Sequence, residues 1–310
     1  MQMSNVMYHF QNDVAVHIHR LGGELVPVGG AQMPVFDDRQ SFVLNIAAGE
    51  MALTPQSLAN VLNRNVFAGQ DAPIKDLSLF IDKDRLKIKG KMHGEGDLRF
   101  EAEGKLSATG DGKIRLHVEK IRALHLPLKG LLDLFGVELA DLIKRGQVRG
   151  VVAEKDDLIF DLEQILPPPH VIGKVTDVRL EGGNIVQVFG DLRTYNWAEI
   201  RARNYMAYRG NRLQFGKLIM YDTDLVLIDL DPKDPFDFYL DHYEDQLTAG
   251  YTKITKGFGL RVFVVDFDKL KRTALSQQGN KAKAKAPANN PRDVEPTQTG
   301  RNRRERGQVP

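Results

Sequence analysis

"LRFEAEGKLSATGDGKIRLHV", Leu98–Val118, decides the fold class. Leu98, Phe100, Ala102 and Leu106 alternate with polar neighbours, a two-residue period that gives a strand one apolar face. "TGDG", Thr109–Gly112, is a hairpin turn, because Asp-Gly tolerates the backbone angles a tight turn demands. Ile114, Leu116 and Val118 return on the same period. The pair reads as one-sided antiparallel sheet, with polar side chains facing out.

The same pattern extends both ways. "RLKIKGKM" sets Leu86, Ile88 and Met92 against lysines. "DVAVHIHR" puts Val14, Val16 and Ile18 on one side, and "SFVLNIAAG" does so with Phe42, Leu44 and Ile46. Further hairpins are expected in "RGVVAEKDDLIF", turning at Lys155–Asp157, in "VRLEGGNIVQVF", turning at Gly182-Gly183, and in "NYMAYRGNRLQFGKLIM", turning at Gly210-Asn211. "GLRVFVVDF" reads as a last strand.

Helices are few. "LTPQSLANVLNRNVF" has Thr54 as N-cap and Pro55 at the first helical position, with an apolar stripe of Leu58, Val61, Leu62 and Phe67. "LPLKGLLDLFGVELADLIKRG" repeats Leu131, Leu132, Phe135, Leu139, Leu142 and Ile143 at helical spacing, and Gly146 can end it. "DLEQILPPPH" is a short helical turn stopped by prolines. In "DPFDFYLDHYEDQL", Asp234 and Pro235 suggest a helix start, with Phe236, Tyr239, Leu240, Tyr243 and Leu247 as its stripe. Strands outnumber helices and are joined by tight turns. That is α+β with an antiparallel sheet, most economically a long curved sheet wrapping a few amphipathic helices.

The chain has 310 residues, 42% hydrophobic and 27% charged, enough for a sizeable core. A single domain is expected over 1–273. The remainder, 274–310, is polar, Pro-rich and aperiodic, and reads as a disordered basic tail. Residues 275–310 hold eight of the 43 basic residues and three of the 41 acids, leaving 35 bases against 38 acids elsewhere. The absence of cysteine excludes disulfides, thiolate zinc sites and a cysteine nucleophile. No apolar run has the roughly 18 residues a membrane-spanning helix needs. The first twenty residues lack the basic start and apolar centre of a signal peptide, which leaves the cytoplasm open.

Chemistry-bearing motifs are scarce. His17 and His19 form an H-x-H pair without a nearby third ligand, on the polar side of their strand. Asp229, Asp231, Asp234 and Asp237 invite a calcium reading. Counted from Asp229, however, position 6 is Asp234 where an EF-hand needs Gly, and position 12 is Leu240 where it needs Glu. No G-x-S-x-G, H-E-x-x-H, Walker A or G-x-G-x-x-G occurs. No catalytic residue, metal or cofactor is therefore expected. "RNRRERG" in the tail has no interleaved aromatics, which argues against nucleic acid as a partner.

In order and texture, "LTPQSLANVLNRNVF", "RLKIKGKM", "LPLKGLLDLFGVELADLIK", "LPPPHVIGKVTDVRLEGGNIVQVFG" and "DPKDPFDFYLDHY" resemble the LmeA-like phospholipid-binding proteins of the bacterial envelope. Those proteins share features with tubular lipid-binding (TULIP) folds. The resemblance covers roughly 51–267. It implies a TULIP-like sheet around helices, an apolar groove for acyl chains, a phospholipid or other acyl lipid as partner with possible membrane-surface contact, and a cell-envelope or periplasmic location. The lining it implies is Leu131, Leu132, Phe135, Leu139, Leu142 and Ile143, with Leu58, Val61 and Leu62 as a second set. Lys or Arg at the mouth would meet a headgroup phosphate. The competing reading is a structural or scaffolding protein whose core is fully packed.

Overall fold

The computed structural model describes residues 1–70, 72–92, 98–123, 126–127 and 148–270. In chain order its first strands are β1 (Gln2–Gln11), β2 (Val14–Pro27) and β3 (Phe42–Leu53), followed by helix α1 (Pro55–Val61) and a π-helical turn at Leu62–Val66. Next come β4 (Ile74–Asp82), β5 (Arg85–Met92), β6 (Leu98–Ala108), β7 (Ile114–Ala123) and β8 (Leu126–Pro127). Then follow β9 (Val151–Glu154), β10 (Asp157–Phe160), α2 (Leu162–Ile165), β11 (His170–Gly173), β12 (Val175–Glu181) and β13 (Asn184–Gly190). The last group is β14 (Tyr205–Phe215), β15 (Leu218–Asp229), β16 (Phe236–Tyr239), α3 (Tyr243–Thr248), β17 (Tyr251–Ile254) and β18 (Leu260–Val264). Strands hold 57% of the described residues and helices 12%, so the fold is mostly sheet.

Two sheets carry these strands where one long sheet was expected. The first runs β12-β13-β3-β2-β1-β14-β15-β18-β17, with β11 beside β3 and β16 beside β1. It is mixed, since β11, β16 and β18 each pair in parallel with a neighbour. The second sheet, β4-β5-β6-β7-β10-β9 with β8 beside β7, is antiparallel. One continuous apolar core joins both, from Val6, Val14 and Ile18 on the first sheet to Leu86, Leu116 and Val118 on the second.

The alternation read from sequence is the alternation found. Val14, Val16, Ile18, Phe42, Leu44 and Ile46 are all buried. Lys89 and Lys91 of β5 face away from the core and pair with Glu101 and Asp76 at 2.7 and 2.6 Å. Exposed pairs of this kind each contribute no more than about 1 kcal/mol. Thr54 caps α1, its hydroxyl accepting from the Ser57 N–H at 3.0 Å. Gly182 and Gly183 both have positive φ at the β12–β13 turn, where L-residues would be strained.

Two local expectations are corrected. Gly210-Asn211 is not a turn: β14 runs straight through it, and Phe215 pairs with Leu218 across Gly216-Lys217. Gly216 takes the positive φ of 58°. Gly210 instead makes room for the Tyr208 ring, whose hydroxyl donates to the Arg212 carbonyl at 2.9 Å. Nor does a helix begin at Pro235. Phe236 and Phe238 are fully buried while Asp237 meets His9 at 2.6 Å, an alternation that makes this segment strand β16 beside β1. Helix begins only after it, with a 3-10 turn at Leu240–His242 and then α3.

Candidate functional site

The chain reverses at Thr54 and Pro55 so that α1 leaves β3 and packs on β2 and β4. That places the helix between the two apolar sheet faces. Leu58 and Leu62 then look into a hollow of about 50 Å³. Its other walls include Val16, Met51 and Leu53 from the first sheet and Leu79, Leu86 and Leu116 from the second. Ile165 and Leu166, delivered by α2, close one side; Asp161 caps that helix by accepting from the Glu163 N–H at 3.2 Å. Gln187 is the one polar side chain among the lining residues.

A second hollow, of about 60 Å³, lies over the inner face of the second sheet. Phe67, Ile74, Leu77, Phe100, Val118 and Leu158 stand around it, and no lining residue is polar. The two hollows share Leu62, Ile88 and Phe160 as common walls. Each could hold about four waters at about 10–15 Å³ apiece. An apolar lining gives water no partners, however, so such a space stays dry or takes something apolar.

Of the residues expected as lining, Leu58 faces the first hollow and Leu62 faces both. Val61 is buried in the adjoining core but faces neither hollow. Leu131, Leu132, Phe135, Leu139, Leu142 and Ile143 lie outside the described residues. Ile88 was expected only as an inward strand residue, and Phe160 and Ile165 were not singled out. Their signal was apolar alternation and capping, which marks a side chain as inward without telling whether its neighbours meet it.

The polar groups gather elsewhere. His17 contacts Asn5 Oδ1 through Nε2 at 2.9 Å, and His19 contacts Glu50 through Nδ1 at 2.9 Å. Burial, and secondarily the neighbouring His19, lowers the His17 pKa. Arg179 donates to Glu50 and Glu181, each at 2.8 Å, and the bond from Arg179 holds the Glu50 carboxyl below its usual range. Asn204 donates to Asp229 at 2.8 Å, and Asp231 N–H donates to the same carboxyl at 2.8 Å. Burial outweighs those bonds and pushes Asp229 up to about 6. Lys269 bridges Asp231 and Asp266 at 2.9 and 2.6 Å. Among the described residues no three potential ligands gather as a metal site, and none of these polar groups lines either hollow.

The chain matches no protein-family model, no curated protein and no solved structure.

Proposed function

We propose that this chain is a non-enzymatic binding protein for an apolar tail, the acyl chain of a phospholipid or fatty acid, held between the two sheets. The carrying observation is the lining: two hollows with common walls, and Gln187 the one polar residue on either among the described residues. A wall without polar groups suits only a partner that has none there, because a sugar, nucleotide or peptide would be left with unmade hydrogen bonds. The LmeA-like resemblance belongs to this reading. Two apolar sheet faces closing on α1 are what a TULIP-like groove requires, and a bacterial envelope location would go with it.

Size sets the expected chemistry. Taking a methylene as about the size of a water, the pair of hollows accepts about eight carbons without rearrangement. Transfer of eight methylenes from water contributes about 6 kcal/mol before association costs of at least about 4 kcal/mol. Binding of a short tail is therefore weak, and longer tails reach further only by turning Leu and Ile side chains aside.

Native mass spectrometry of the purified chain, with solvent extraction of whatever co-purifies, tests the proposal. An acyl lipid released in near-stoichiometric amount is the expected result. A chain that emerges clean and takes up no fluorescent fatty acid is the fully packed structural protein of the competing reading.

A further inference from the structure

Eleven large apolar side chains are exposed on the described surface, and six of them lie on two hairpins. Leu218, Ile219 and Tyr221 follow the β14–β15 turn, and Tyr251, Ile254 and Phe258 belong to the β17–β18 hairpin. β18 runs parallel to β15 but begins opposite Leu225, seven residues beyond Leu218, so the β17–β18 turn stands apart from the β14–β15 turn by about 23 Å along the strand. Phe258 is 91% exposed and Ile254 73%. Phe258 also adopts φ of 62°, a conformation costly for a bulky side chain. Its loop is nonetheless well tied. The Phe258 N–H donates to the Thr255 carbonyl at 3.0 Å, the Gly259 N–H to the Thr255 hydroxyl at 2.9 Å, and the Thr255 N–H to the Gly259 carbonyl at 2.8 Å. An aromatic ring held outward by an ordered, strained turn points to a binding role.

The charges choose the partner. Lys253 and Lys256 flank the β17–β18 tip, both exposed and neither in an ion pair among the described residues. Lys253 and Lys256 are the only charged residues from Tyr251 to Gly259. Protein interfaces are depleted of lysine, whereas apolar tips beside lysines match the boundary between anionic headgroups and acyl chains. We propose that the β17–β18 hairpin docks on an anionic lipid surface, Phe258 and Ile254 entering the acyl boundary while Lys253 and Lys256 meet headgroup phosphates. The docking site is separate from the hollows and stands or falls without them.

Co-sedimentation of the full chain with vesicles of equal phosphatidylcholine and phosphatidylglycerol tests it, because the basic tail is then constant across variants. Phe258→Ala should lower partitioning about tenfold, the loss of one buried aromatic ring. Lys253→Gln with Lys256→Gln should lower it by a similar factor. Neither variant should change the circular dichroism spectrum. In Phe258→Trp, emission should shift to the blue on vesicle addition, with Trp197 of the parent chain as the reference. Failure of the parent chain to bind, binding unaffected by Phe258→Ala, or unshifted emission from Phe258→Trp on bound protein would each overturn the proposal. Equal binding to pure phosphatidylcholine vesicles would overturn the role of the lysines.

Discussion

At one end of the interior, Phe36 meets Phe215 with ring centroids 4.9 Å apart and Phe238 at 6.0 Å, and Phe236 meets Phe238 at 5.7 Å. The space left beside Phe36 and Phe215, walled also by Met206, Leu213, Leu225 and Leu227, is about 10 Å³. At the other end, where α1 separates the two sheets, Leu, Ile and Val side chains together with Phe67, Phe100 and Phe160 leave hollows of about 50 and 60 Å³. Both ends are equally apolar, so hydrophobicity does not distinguish them. Ring contacts do: the rings of the filled end pack against one another, whereas Phe67, Phe100 and Phe160 around the hollows make no ring contact with one another among the described residues. At about 24 cal/mol per Å³, each empty hollow costs about 1 kcal/mol, which an apolar occupant would restore.

Truncation should separate the two ends most strongly. Phe236→Ala or Phe238→Ala removes a fully buried ring and should destabilise the fold by about 3–5 kcal/mol in urea unfolding. Enlargement should divide them in the opposite sense. Leu213→Phe overpacks the filled end and should cost about 1–3 kcal/mol, whereas Leu62→Phe grows into the hollows and should be tolerated within about 1 kcal/mol. Equal costs for these two enlargements would erase the distinction drawn from the volumes.

The polar groups outside the hollows should govern pH dependence. Burial raises Asp229 to about 6, so between about pH 4 and 6 the folded chain holds a proton that the unfolded chain releases. That contribution makes the fold more stable as pH falls through 6, by up to about 3 kcal/mol. His17, lowered by burial, acts oppositely: its contribution is lost as pH falls through the unfolded value of about 6.5. The measurement is therefore a difference, with Asp229→Asn expected to remove the acid-side gain while fatty-acid uptake stays unchanged. The smallest expected effect is at the docking turn. Phe258→Gly relieves the positive φ and should raise stability by about 1 kcal/mol, seen as a higher Tm.

The hairpins around Asp-Gly, Lys155 and Gly182-Gly183 were legible because turn chemistry and two-residue alternation coincide there. Thr54 and Pro55 announced α1 for a similarly local reason. Local signals failed where tertiary context decides. Gly210-Asn211 has the composition of a turn, but its glycine serves the Tyr208 ring. Asp234-Pro235 has the composition of a helix start, but Phe236 and Phe238 alternate into the core beside β1. The partition into two sheets was hidden for the same reason, since alternation gives a strand its faces but not its neighbours. Leu58 and Leu62 could be placed on an inward stripe of α1, and only the resemblance made that stripe a lining. The empty space beside them could not be read, because a cavity depends on whether side chains of the two sheets meet, which alternation does not say.

The dissociation constants of saturated fatty acids from six to sixteen carbons bear most directly on the hollows. Affinity should rise about fourfold per added methylene, the factor corresponding to about 0.8 kcal/mol, up to about eight carbons, and more gradually beyond. In Leu62→Phe the rise should stop several carbons earlier. Undetectable binding at every length, or a length dependence that Leu62→Phe leaves untouched, would contradict an acyl site between the sheets.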